Sequence, residues 1–285
     1  MADDPITRLF RSCAPNEALQ PDDLRYVNCD EVRGENLAQL YARALRRADP
    51  VNPEVKVFSG HRGVGKTSEL YRLKRFLEQP DESGQRPFLV IFSDVSQSLD
   101  LNDTVPISLI YSPRFTQIEQ TFGGHQIPVP MIRLHEKGDS EPTMDTPGMA
   151  KLREILEARC RHAEVDFSEV FDEEETCRHL CRMTGGHPRH LMMFLRAAAN
   201  EVDALPITGQ AVDKAIRNYA NSLLREVPDA FWPLLRNFDE PQDDLPKDEN
   251  HQEMLLLLHV FEYMNGEPWY EVNPVLRTIP KFRET

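Results

Sequence analysis

The chain predicts an α/β phosphate-binding core, then a helical module, then a small C-terminal piece, and three observations carry that expectation. The stretch Gly60-His61-Arg62-Gly63-Val64-Gly65-Lys66-Thr67 fits the glycine-rich phosphate-loop pattern. An apolar run from Val55 to Phe58 precedes it, and Leu70, Leu73 and Leu77 follow at helical spacing, so the order strand, glycine loop, helix is complete. From Gly148 onward the apolar period is largely helical.

Each part of the loop has a chemical reason. Gly60, Gly63 and Gly65 let the backbone wrap a polyphosphate with N–H groups turned inward, and the helix N-terminus adds a favourable dipole. Lys66 is placed to meet the β and γ phosphates, and Thr67 to put its hydroxyl on Mg²⁺. His61, Arg62, Val64 and Ser68 complete the candidate ATP·Mg²⁺ site. A glycine-rich turn with a chance Gly-Lys-Thr is the alternative, and the flanking elements weigh against it.

The remaining elements follow in order. Residues 1–20 lack a clear period and read as a tail. Leu37, Leu40, Tyr41, Ala44 and Leu45 predict a helix ahead of the loop. After the loop helix, Phe88 to Phe92 suits a buried parallel strand, and Val105 to Tyr111 and Ile127 to Leu134 also look extended. Leu152, Ile155, Leu156 and Ala163 mark one later helix; Leu191, Phe194, Leu195 and Ala198 mark another, with Pro188 in its first turn; Ala211 to Leu224 is a third. Acidic residues from Asp239 to Glu253, clustered around Pro241 and Pro246, read as a solvated linker or boundary. Met254 to Met264 reads as an apolar helix, and Asn265-Gly266 turns into a strand from Pro268 to Val272.

Composition narrows the class. With 285 residues, about two domains and an ample core are expected. A net charge of −14 makes nucleic acid an unexpected partner, because capturing a phosphate backbone needs a basic surface. No apolar run approaches the roughly 20 residues of a membrane span. The first residues lack a basic-then-apolar leader, and the 5 cysteines are odd in number and irregularly spaced, so a reducing cytoplasm is the expected setting.

The loop and the element order together resemble the AAA+ and STAND branches of the P-loop ATPases, especially bacterial replication-initiator and signalling types. The resemblance implies an α/β P-loop NTPase core with an α-helical lid and a small winged-helix-like C-terminal piece. Its implied boundaries are a tail over 1–20, the core over 21–147, the lid over 148–226, and an acidic linker with the C-terminal domain over 227–285. Arg33-Gly34-Glu35-Asn36 resembles the segment that borders adenine in such proteins, though a helix-start turn explains it nearly as well. Thr184-Gly185-Gly186-His187-Pro188-Arg189 resembles the Gly-x-Pro stretch of the lid, which implies Pro188 near the base and Arg189 at the γ-phosphate; a solvated helix charge is the alternative for Arg189. The implied function is an ATP-dependent switch with a protein partner and room for homo-oligomers. A DNA-linked motor and a non-hydrolysing scaffold are the competing classes.

One part of the pattern is missing. Hydrolysis needs an apolar strand ending in acid to hold Mg²⁺ and orient the attacking water. Asp94 is the candidate by default, but it falls too soon after Lys66 for the resemblance. The segment Val95 to Asp103 joins two extended runs without helical period, whereas a parallel crossover takes a dozen or more residues. A deletion near Asp103/Thr104 is the preferred reading over an antiparallel hairpin, and it implies impaired hydrolysis.

Other constellations weigh less. Cys177, His179 and Cys181 with His187 and His190 can be drawn as a metal site, but structural zinc spacing is absent, and core cysteines with surface histidines are the better reading. Arg114 is either an arginine finger or a solvated loop charge.

Overall fold

The computed structural model describes residues 4–49, 51, 58–80, 88–91, 105–106, 111, 128–138 and 142–284. The chain opens with helix α1 (Pro5–Ser12), whose start is capped where Asp4 accepts the Thr7 N–H at 2.9 Å. The segment expected to be a tail therefore has a docked helix. Arg8 Nε donates to the Ala163 carbonyl at 2.7 Å, and Ser12 Oγ to that of Arg159 at 2.9 Å. Helix α2 (Asp30–Arg33) ends at Gly34, whose φ of 97° favours glycine. Helix α3 (Leu37–Arg47) is capped by the Asn36 side chain.

The two-residue strand β1 (Ser59–Gly60) runs into the glycine loop and helix α4 (Lys66–Glu78). Strand β2 (Val105–Pro106) pairs with β1 in parallel, and Gly60 forms a parallel bridge to Val129. Four helices then pack together: α5 (Pro147–His162), α6 (Glu174–Met183), α7 (Pro188–Ala199) and α8 (Gly209–Glu226). Their apolar stripes bury Leu152, Leu156, Leu180, Leu191, Phe194, Leu195, Val212 and Leu223 almost completely. Full burial of one such side chain contributes about 1.5–3 kcal/mol. Thr208 caps α8 through its side chain, and Pro188 fills the first turn of α7, where a missing N–H costs nothing.

The C-terminal part consists of α9 (Phe231–Arg236), α10 (Glu249–Leu256), an antiparallel hairpin of β3 (Val260–Asn265) and β4 (Glu267–Val272), and α11 (Pro280–Arg283). The hairpin reaches back to the loop. Phe261, Tyr263 and Trp269 share a buried cluster with Val64, Phe58, Val129 and Met131.

The structure corrects the expected fold class. Helix makes up 51% and strand 7% of the described residues, and the parallel sheet required for an α/β P-loop core is not among them. The longer strand pair is the β3–β4 hairpin, and parallel pairing among the described residues is confined to two residues each of β1 and β2 and two isolated bridges, Gly60 to Val129 and Phe171 to Ile207. The run read as a buried strand shows why. Leu89 is 83% exposed and Ile91 78%, so no layer of the described structure covers this apolar run. The lid and winged-helix labels fall with the core they were meant to accompany.

Two local expectations also change. The apolar run Met254 to Met264 divides at Leu258, where φ is 63°, into α10 and β3, because Val260, Phe261 and Tyr263 prefer a pleated, paired setting. The acidic stretch is partly structural: Asp248 caps α10, Leu245 is buried, and Gln242 exchanges backbone hydrogen bonds with Tyr270. Among the described residues no helix is long and apolar enough to cross a membrane.

Candidate functional site

The loop backbone takes conformations that only glycine adopts freely. Gly60, Gly63 and Gly65 have φ of 144°, 91° and 103°. Gly65 is the left-handed residue just ahead of α4, so the unpaired N–H groups of the first helical turn point into the loop's concavity. A Cβ on Gly60 would sit 2.8 Å from the Val129 carbonyl, which fixes the loop's floor. On its other side Gly63 lies under Arg189: a Cβ there would meet Arg189 Cβ at 2.8 Å.

Lys66 is buried, and its Nζ donates to the carbonyls of Gly60 and His61, each at 3.0 Å. Burial first, then the nearby charges of Arg189 and Arg62, pushes its pKa down to about 8. Arg189 is likewise lowered by burial and by Arg62. Among the described residues neither Arg62, Lys66 nor Arg189 has a carboxylate partner. Three cations thus converge on one loop with no described anionic side chain between them, in a chain of net charge −14.

The arginine placed near adenine by resemblance has a different posture. Arg33 is buried and spans from loop to helix, donating to the Val64 carbonyl at 2.5 Å and to Glu69 Oε1 at 3.2 Å. Glu69 also accepts from Arg72 at 2.7 Å, and Arg72 makes a two-bond pair with Asp30 at 2.8 Å each. This ladder ties α2 to α4 and holds the loop's far end. Geometry of this kind offsets much of the desolvation cost of the buried charges, although Arg33 Nε has no hydrogen-bond partner among the described residues.

Two histidines grip the near end. His187 Nε2–H donates to the Arg62 carbonyl at 2.8 Å, while its Nδ1 accepts the His190 N–H at 3.2 Å and so caps α7. His61 turns its ring away from the loop's concavity and accepts the Glu262 N–H at Nε2, at 2.8 Å. Burial holds both rings neutral, His61 with a pKa pushed down to about 3. The turn ahead of α7 is tight as well. A Cβ on Gly186 would come 1.8 Å from the Ile132 carbonyl, and Tyr263 donates its hydroxyl to the Gly185 carbonyl at 2.6 Å.

A cleft of about 120 Å³ opens beside the loop. Arg33, Gly63, Val64, Gly65, Ser68, Pro188 and Arg189 are among the residues that line it, so three separated stretches meet there, whereas Gly60, His61, Arg62, Lys66 and Thr67 are not part of its lining. Thr67 is exposed at the helix start, and Ser68 Oγ accepts the Leu19 N–H at 3.0 Å, which commits that hydroxyl to the protein. Asp94 and Arg114 lie outside the described residues. Among the other cleft walls, sequence reasoning missed Tyr26, Arg159 and Met192, and also Pro15, whose carbonyl accepts from Arg189 Nε at 3.3 Å. None of these carries a local spacing signal. Cys177 and Cys181 are buried on α6, and no group of three metal-ligating side chains occurs among the described residues.

Comparison with protein-family models, with curated proteins and with solved structures gives no match for this chain.

Proposed function

We propose that the Gly60–Thr67 loop binds the phosphates of ATP with Mg²⁺, and that the chain acts as a nucleotide-dependent switch. The observation that carries this reading is the convergence of Arg62, Lys66 and Arg189 on a glycine loop at a helix N-terminus, without a carboxylate partner among the described residues. A polyphosphate there replaces mutual repulsion among cations by charge-assisted hydrogen bonds. Thr67 is the hydroxyl available to Mg²⁺.

The switch half follows from size. A nucleotide pocket usually measures about 300–1,000 Å³, against about 120 Å³ here. Arg189 lies across Gly63, so entry of a triphosphate requires Arg189 to leave Pro15 and α7 to follow it. Turnover is slow in this reading. Glu69, the carboxylate of the cleft closest in sequence to the loop, is held by Arg33 and Arg72 and is not available to orient water.

Calorimetric titration with ATP·Mg²⁺ tests the proposal. Saturation at about 100 times the dissociation constant raises folding stability by roughly 2.7 kcal/mol, and Lys66→Ala abolishes most of that gain. Equal affinity in Lys66→Ala and the unsubstituted chain would sink the reading.

A further inference from the structure

The β3–β4 hairpin meets the glycine loop through one backbone group. Glu262 stands opposite Tyr270 in the hairpin, and both residues turn their backbone groups outward: Tyr270 exchanges two 2.9 Å hydrogen bonds with Gln242, and Glu262 gives its N–H to His61. An outward N–H on a buried edge strand needs an acceptor, because leaving it unpaired forfeits its hydration. His61 Nε2 supplies that acceptor in place of a third strand. The same residue lends its carbonyl to Lys66 Nζ at 3.0 Å. One residue therefore has its side chain on the hairpin and its backbone on the lysine.

The contact is reinforced around its rim. Phe261 packs edge-on against His61, with ring centroids 5.9 Å apart, and lies flat against His187 at the same separation. Val64, inside the loop, is fully buried in the cluster that holds Phe261 and Tyr263. The adjoining His187 fixes the Arg62 carbonyl.

We infer that His61 is a positioning residue for the phosphate loop: by accepting the Glu262 N–H it locks the loop to the β3–β4 hairpin, so the seating of the hairpin sets the loop's readiness for a polyphosphate. The inference rests on the nucleotide reading above for its consequence in affinity, while the lock itself is a property of the chain alone. It also makes the hairpin the element through which occupancy of the loop is read at a distance.

Hydrogen exchange followed by mass spectrometry, on the full chain and on His61→Leu and His61→Gln, tests both halves. Leucine removes the acceptor; glutamine places a carbonyl oxygen near the position of Nε2. Without nucleotide, His61→Leu speeds exchange in peptides covering 61–67 and 260–265 by about tenfold, the scale set by one unsatisfied buried amide. His61→Gln stays within about threefold, and α5 to α8 keep their protection in both. With ATP·Mg²⁺, the dissociation constant rises about tenfold in His61→Leu and returns in His61→Gln. Unchanged loop exchange in His61→Leu overturns the lock, and altered exchange with unaltered affinity overturns its role in positioning. If the unsubstituted chain binds no ATP, the nucleotide reading fails by itself and the exchange comparison still decides the lock. Should His61→Leu also lose protection in α5 to α8, His61→Asn is compared with His61→Gln, since the shorter amide falls short of Glu262; equal loop exchange in those two overturns the lock.

Discussion

In the helical module, Leu152, Leu156, Leu180, Leu191 and Phe194 are buried against one another, whereas around the glycine loop an equally buried shell contains Ser59, His61, Lys66, Glu69 and His187. The first region is held by dispersion and by removal of apolar surface, and each side chain adds its share almost independently. The second is held by polar groups whose partners must all be in place. Moving the Gly60 or His61 carbonyl changes what Lys66 holds, and moving His187 changes both α7 and Arg62. A core of the first kind is tolerant in position and costly to hollow out. A shell of the second kind is intolerant in geometry and holds a buried cation, Lys66, whose pKa burial lowers.

The largest effect is expected where the two regions touch. Gly186→Ala forces a Cβ against the Ile132 carbonyl at a φ of 77°, and should destabilise folding by about 4 kcal/mol in urea denaturation. A loss under about 1 kcal/mol would mean that the turn ahead of α7 is not seated as described. Inside the module, Leu191→Ala should lower stability by about 3 kcal/mol through cavity formation while leaving ATP affinity unchanged. A parallel loss of affinity would blur the contrast between the regions.

At the loop the sign reverses. The Lys66 pKa lies at about 8 in the folded chain against an ordinary 10.5, so the unfolded chain binds more protons between those values. Its charge therefore opposes folding fully below pH 8, and the penalty fades as pH rises toward 10.5. Lys66→Met should stabilise the ligand-free chain by about 2 kcal/mol at pH 7, with the difference vanishing near pH 10.5. Chemical denaturation of both proteins across that range reads it, and destabilisation by Lys66→Met at pH 7 would contradict the strained-charge account.

The smallest effect concerns Glu262, whose carboxyl lies buried beside the hydroxyls of Tyr111 and Tyr270, with Asp244 acting on Tyr270. Burial pushes its pKa up to about 7 from an ordinary 4.5. Stability contributed by the neutral carboxyl is complete below pH 4.5 and is lost as pH rises through 7. Glu262→Gln should flatten that decline, for a relative gain of about 1 kcal/mol at pH 8. A pH profile identical to that of the unsubstituted chain would show that the carboxyl is solvated.

Legibility in the sequence followed the same divide. The helices of the module repeat their apolar residues at a fixed period, and α5, α7 and α8 fall within a few residues of where Leu152, Leu191 and Ala211 predict them. The loop was legible as a motif because glycine and lysine spacing is local. The sheet expected around it was inferred from short apolar runs, and Leu89 and Ile91 show that such a run does not carry its own burial. Pairing is a property of two segments, so Val260 to Asn265 could be recognised as a strand only together with β4. The roles of the histidines escaped for a related reason: His187 and His190, expected at the surface, are buried, and His61 and His187 act through backbone groups far along the chain, at Glu262 and Arg62, a contact that no spacing announces.

The bonds from Lys66 Nζ to two carbonyl oxygens have a consequence for selectivity. An anion arriving at the loop does not meet a bare ammonium but one already coordinated, so capture is a substitution reaction rather than a simple addition. A singly charged ion such as chloride or acetate offers one weak contact in exchange for two sound ones and gains little. A chain of linked phosphates offers several oxygens at once, and only such a ligand can replace both carbonyls while also engaging Arg62 and Arg189. Under the nucleotide reading proposed above, the lysine would set a threshold of charge and valence that the common small anions do not meet.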